Sequence, residues 1–91
     1  MKRFIYSVRD DLSEYFSRTI DEINDATAIR AFVSSFQDNP NRNDFALYCI
    51  GHWNDSDGNI IPLPPKRIFS GLDIKDAEVV NLPTSLKEQA E

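Results

Sequence analysis

The run Asp44 to Trp53, DFALYCIGHW, limits the fold more than any other stretch of the chain. At a side-chain period of two, Phe45, Leu47, Cys49, Gly51 and Trp53 share one face, and Ala46, Tyr48, Ile50 and His52 share the other. Both sets are largely apolar, so the pattern predicts a central strand with its odd positions inward. Asn54-Asp55-Ser56-Asp57-Gly58 follows as a hairpin loop, with Gly58 free to take positive φ and the Asn and Asp side chains able to bond their own backbone. Asn59 to Leu63 is then the return strand, and Pro62 places it at an edge or marks its end.

A second firm pattern lies upstream. In Ala26 to Gln37, Ile29, Phe32, Val33 and Phe36 recur at i, i+3, i+4 and i+7, the stripe of a helix that buries one face. Asn24 and Asp25 are N-cap candidates, and Asn39-Pro40 ends the helix because a residue before proline disfavours the α region. Near the N-terminus, Phe4, Tyr6 and Val8 alternate with Arg3, Ser7 and Arg9, which predicts another strand. Residues 12–23 are ambiguous: Leu12, Tyr15, Phe16 and Ile20 fit helical spacing, Phe16 to Ile20 also reads as extended, and the segment is expected to be irregular. Leu63 to Arg67 is expected to be an extended connector, with a further short strand in 68–74 or 78–82 and a helical turn or loose tail over 83–91.

A chain of 91 residues with 41% apolar residues supports one domain and one compact core. That domain is expected over residues 1–75. Of the net charge of −5, −3 falls in residues 76–91, read as an acidic C-terminal tail. The expected architecture is α+β, a small three- to four-stranded, mostly antiparallel sheet with one main helix on one face and a β-hairpin around residues 44–63. No stretch reaches the ~20 apolar residues of a membrane span, and no signal-peptide apolar region follows Met1-Lys2-Arg3. The single Cys excludes an intramolecular disulfide and points to a reducing compartment.

Residues 49–57 hold the chain's only Cys, His and Trp beside two aspartates, so they are weighed for chemistry. Zinc wants about four ligands in recurrent spacing, whereas Cys49 and His52 lie three apart on opposite strand faces. A calcium loop aligned on Asp55, Asp57 and Gly58 would begin at Trp53 and end at Pro64, which lack the required carboxylates. Cys49, between Tyr48 and Ile50, has no neighbouring base in the sequence and reads as a small buried hydrophobe. No Gly-rich phosphate loop or Ser/His/Asp set is present. The expectation is a protein with no catalytic residues, no metal and no cofactor, that is, not an enzyme.

The stretches YSVRD (6–10), NDATAIRAF (24–32), NPNRNDFALYCIGHWNDSDGNI (39–60) and PKRIFSG (65–71), in this order, resemble the small nonstructural protein of gokushovirus-type microviruses. These are tail-less phages with circular single-stranded DNA genomes. Asn43 stands where that pattern usually has an acidic residue, and Asp57 where it has Thr or Ser. The resemblance implies an accessory role in the host cytoplasm, in genome replication or the switch to single-strand synthesis and packaging. Its biochemical form would be single-stranded DNA binding, with aromatic platforms for bases and basic groups for the backbone. The candidates are Arg3, Arg9, Arg30, Tyr48, His52, Trp53, Lys66 and Arg67. Each also has an ordinary reading: Tyr48 and Trp53 as core or sheet-capping rings, Lys66-Arg67 as a solvated pair, and Arg30 as a surface or ion-pair residue. The negative net charge weighs against a protein that merely coats phosphates. The alternative is a homodimeric protein-interaction module that docks on a viral replication or capsid-assembly protein, or on a host factor, through the sheet face its single helix leaves bare.

Overall fold

The computed structural model describes residues 1–74. The expected acidic tail over 76–91, the strand option at 78–82 and the helical turn at 83–91 lie outside the described residues. Within them the chain is α+β: β1 (Lys2–Asp10), β2 (Tyr15–Glu22), α1 (Asp25–Phe36), β3 (Phe45–Asn54) and β4 (Ile60–Ser70). The four strands form one antiparallel sheet in the order β2-β1-β3-β4. Because β2 and β3 both run antiparallel to β1, they are parallel to each other, and α1 is the crossover that parallel strands require.

Asn24 caps α1 as its residue type predicts, its Oδ1 accepting the Thr27 amide at 2.9 Å. The apolar stripe faces the sheet. Phe32 and Val33 are buried with Ala28, while Ile29 and Phe36 pack at the margin of a core built with Tyr6, Leu47, Cys49 and Ile74. Phe36 stacks on Phe32 and leans on Phe45, with ring centres 4.8 and 4.9 Å apart, and Phe69 meets Phe32 edge-on at 5.9 Å. One polar bond ties the helix start to the sheet: the Tyr6 hydroxyl, on a side chain fully excluded from solvent, donates to Asp25 Oδ1 at 2.6 Å.

The structure corrects two expected elements. Residues 15–22 are an edge strand rather than irregular. The β1–β2 turn is closed by the Glu14 amide on the Asp10 carbonyl at 2.7 Å, with Glu14 in the left-handed region at φ 68°. The expected return strand, connector and further strand merge instead into one strand, β4, which ends at Ser70 before a 3-10 turn. Its three prolines are tolerated because β4 is an edge and because its register slips against β3: two residue steps from Cys49 to Gly51 oppose four from Lys66 to Pro62.

A third correction concerns the faces of β3. Ile5 pairs with Gly51 but Tyr6 with Cys49, so Ile50 is an extra residue in a β-bulge. Before the bulge the odd positions Phe45, Leu47 and Cys49 face α1, as expected. Beyond it the parity reverses. His52 pairs with Phe4, which packs on the core, and Trp53 pairs with Arg3 on the helix-free face. A second bulge, where Ser17 and Arg18 oppose Val8, is satisfied internally: buried Ser7 donates to the Ser17 and Arg18 carbonyls at 3.0 and 3.3 Å.

A short 3-10 turn at Gly71–Asp73 sets β4 against another at Arg42–Asp44. A Cβ on Gly71 would lie 1.6 Å from the Arg42 carbonyl oxygen, a clash with backbone that no rotamer relieves. Gly71→Ala is therefore expected to destabilise by about 1–3 kcal/mol or more in denaturant unfolding. For Tyr6, burial and then the Asp25 carboxylate hold the phenol well above the ordinary tyrosine range. A raised native pKa favours folding fully below the unfolded value of about 10 and less as pH rises past it. Stability should thus fall above about pH 10, and Tyr6→Phe should cost about 1–2 kcal/mol at neutral pH while flattening that alkaline decline.

Candidate functional site

With α1 on one face, the other face of the sheet bears the odd residues of β1, the matching residues of β2 and, through the bulge, Tyr48 and Trp53 of β3. Two clusters form there, each around an aspartate. In the first, Asp11 accepts from Arg9 Nε at 3.1 Å and from Arg67 at 2.7 Å, joining β1 to β4. Arg9 lies over the Phe16 ring at 5.7 Å and Arg67 over the Tyr48 ring at 5.8 Å. Phe16 meets Tyr48 edge-on, with centres 5.3 Å apart and planes at 80°. Two rings and two guanidinium groups therefore alternate across four strands.

In the second cluster, Asp21 on β2 accepts from Arg3 Nε at 2.8 Å through Oδ2 and from the Trp53 indole N–H at 3.0 Å through Oδ1. Register explains the meeting, since Arg3 lies opposite Trp53 across β1–β3 and Ile5 lies opposite Asp21 across β1–β2. The indole N–H, with the Arg3 guanidinium, holds the Asp21 carboxyl below the usual aspartate range. Beside it is an open groove of about 400 Å³ lined by Ile5, Thr19, Asp21, Trp53 and Ile60.

Five of the eight candidate residues, Arg3, Arg9, Tyr48, Trp53 and Arg67, are thus gathered on the helix-free face. Three are not. His52 lies on the helix side of the sheet, edge-on to Phe4 at 6.3 Å. Lys66 is exposed in register with buried Cys49, also on the helix side. Arg30 is exposed on α1, across the sheet from Tyr48. Expecting Tyr48 and His52 on a common face failed at the Ile50 bulge.

Sequence reasoning also missed Asp11, Asp21 and Phe16. The extended reading of Phe16 to Ile20 was the available signal for β2. Nothing local signals the two aspartates, whose partners lie up to 56 residues away.

Of the two aspartates weighed for metal chemistry, Asp55 pairs with the Met1 ammonium at 2.6 Å and Asp57 has a turn duty. Asp57 accepts the Asn59 amide at 2.9 Å, and Asn54 accepts the Ser56 amide at 2.9 Å. Cys49 is buried. Among the described residues no group of three or more His, Cys, Asp or Glu is placed to hold a metal ion, and no helix is long and apolar enough to cross a membrane.

These features define a small antiparallel sheet with one face packed and the other carrying rings and paired arginines. The profile of the Phage ORF5 protein family matches residues 3–74, and the chain belongs to that family of phage proteins. No curated protein and no solved structure matches it significantly.

The Asp21 clamp can be read directly, because Trp53 is the only tryptophan. A carboxyl held low in the native state contributes above its unfolded pKa of about 3.9 and loses that contribution as pH falls through the lower folded value. Trp53 emission should therefore change in acid with a midpoint below about 3.9, and Asp21→Asn should remove the transition. A midpoint at or above that value would contradict the clamp.

Proposed function

We propose that this phage protein is a non-enzymatic accessory factor of single-stranded DNA replication, or of the switch to single-strand synthesis and packaging. In this reading it acts in the host cytoplasm of a microvirus-type infection and binds single-stranded DNA on the helix-free face. One observation carries the reading: five residues nominated for DNA contact from three strands converge on one face, where rings alternate with guanidinium groups.

Tyr48 and Trp53 lie opposite Ser7 and Arg3, four steps apart on β1 and about 13 Å at ~3.3 Å per residue, so they stack on different nucleotides of one strand. Arg9 and Arg67 flank Tyr48, which places backbone contacts beside that ring, while Arg3 stays on Asp21 beside Trp53. Each arginine already holds a carboxylate. Phosphate must exchange with an exposed ion pair worth about 0–1 kcal/mol, an exchange of small cost.

A second reading rests on Phe16 and Ile60, which are exposed on this face. The same face could close a homodimer or dock on a viral replication or capsid-assembly protein, without DNA. A mass measurement by light scattering, run beside the DNA titration, separates the two.

Fluorescent oligo-dT titrated at low salt should bind, with log K falling against log salt at a slope of roughly −1.4 for two phosphate contacts. Tyr48→Ala should cost about 1–3 kcal/mol of binding. Arg67→Ala should weaken binding and flatten the slope, whereas Asp11→Asn, which releases Arg9 and Arg67, should strengthen it. A titration that stays flat at low salt for oligo-dT, oligo-dC and oligo-dA alike removes the DNA reading.

A further inference from the structure

We propose that the groove beside Trp53 is a nucleobase subsite that takes an amino-bearing base, cytosine, adenine or guanine, in preference to thymine. The proposal rests on the DNA reading above and specifies what one part of that face recognises.

Asp21 puts an anion where a phosphate would have to sit. Asp21 borders a groove otherwise formed largely by Ile5, Ile60 and the Trp53 indole. A phosphate placed there would meet a carboxylate at short range, so the portion of a strand that enters must be the base. The groove's volume, about 400 Å³, falls within the roughly 300–1,000 Å³ of small-ligand sites. Its open side lets the backbone pass outside while one planar ring lies against indole and isoleucine.

Asp21 then decides which ring. Each carboxylate oxygen spends one acceptor position on a fixed donor, Oδ2 on Arg3 and Oδ1 on Trp53. A carboxylate has about four such positions, so two remain, and any further partner must donate. The exocyclic amines of cytosine and adenine donate to an acidic side chain, as does the N1–H and amine edge of guanine. Thymine offers one N–H flanked by two carbonyl oxygens, which face the carboxylate with like charge. The two donors already hold Asp21 in a single orientation, so little side-chain freedom is lost when the base arrives.

The test compares oligo-dC, oligo-dA and oligo-dT on the full chain, following oligonucleotide anisotropy and Trp53 emission together. Oligo-dC and oligo-dA are expected to bind roughly tenfold tighter than oligo-dT, and to quench Trp53 as they saturate. In Asp21→Asn, whose amide also donates to thymine carbonyls, the preference should shrink to about twofold or less. Equal affinities in the wild-type chain, or binding that leaves Trp53 emission unchanged, would overturn the subsite while leaving DNA binding on this face intact. Failure of all three oligonucleotides to bind would overturn the DNA reading and the subsite with it.

Discussion

The crossover from β2 to β3 governs the architecture. These strands flank β1 and run parallel to each other, so the chain between them has to pass over β1 on one side. It does so as α1, which buries Phe32 and Val33 against Tyr6 and Leu47. With a single helix among the described residues, only one face is covered. The Tyr6–Asp25 bond fixes where the crossover begins by tying the first turn of α1 to the middle of β1. The bare face is therefore a consequence of topology, and its side chains are free of the demand for close packing that fills the other.

What the bare face displays depends on bulges. A regular β3 would keep Trp53 on the helix side with Leu47 and Cys49. The extra residue at Ile50 turns Trp53 outward, onto the face that already bears Arg3 and Ile5, and turns His52 inward towards Phe4. The slip between Leu47/Phe69 and Tyr48/Arg67 similarly sets the Arg67 guanidinium over the Tyr48 ring. Such irregularities cost ladder hydrogen bonds, and the chain compensates locally, as Ser7 does for the Ser17 and Arg18 carbonyls.

The sequence made the helix and β3 legible because their apolar residues repeat at the period of the element they form. Ile29, Phe32, Val33 and Phe36 leave little room for another reading, and so do Phe45, Leu47 and Cys49. β2 was obscured because Leu12, Tyr15, Phe16 and Ile20 fit a helix as well as a strand, and an edge strand with one exposed face carries few apolar residues to break the tie. β4 was hidden by its prolines, which read as a connector until the slipped register removes the need for their amides. The Ile50 bulge could not be read, because a bulge belongs to a pair of strands and neither sequence alone records it. The candidate site was legible in its rings and arginines and illegible in the aspartates that organise them.

Those aspartates bear on how an acidic protein could engage a polyanion. On the bare face three arginines stand against two aspartates, so the local charge is close to balance although the chain carries −5. Such a face has no long-range pull on phosphate, and its ion pairs are exposed enough to exchange at small cost. The carboxylates hold the guanidinium planes in place before any ligand arrives. They also deny the face the indiscriminate attraction for polyanions that unpaired arginines would give it. In the proposed reading, selectivity for single strands would come from the rings, since stacking on Tyr48 and Trp53 requires bases that are not already stacked and paired in a duplex. Under that proposal, binding that depends on rings more than on charge is compatible with a net negative chain and would favour DNA whose bases are open.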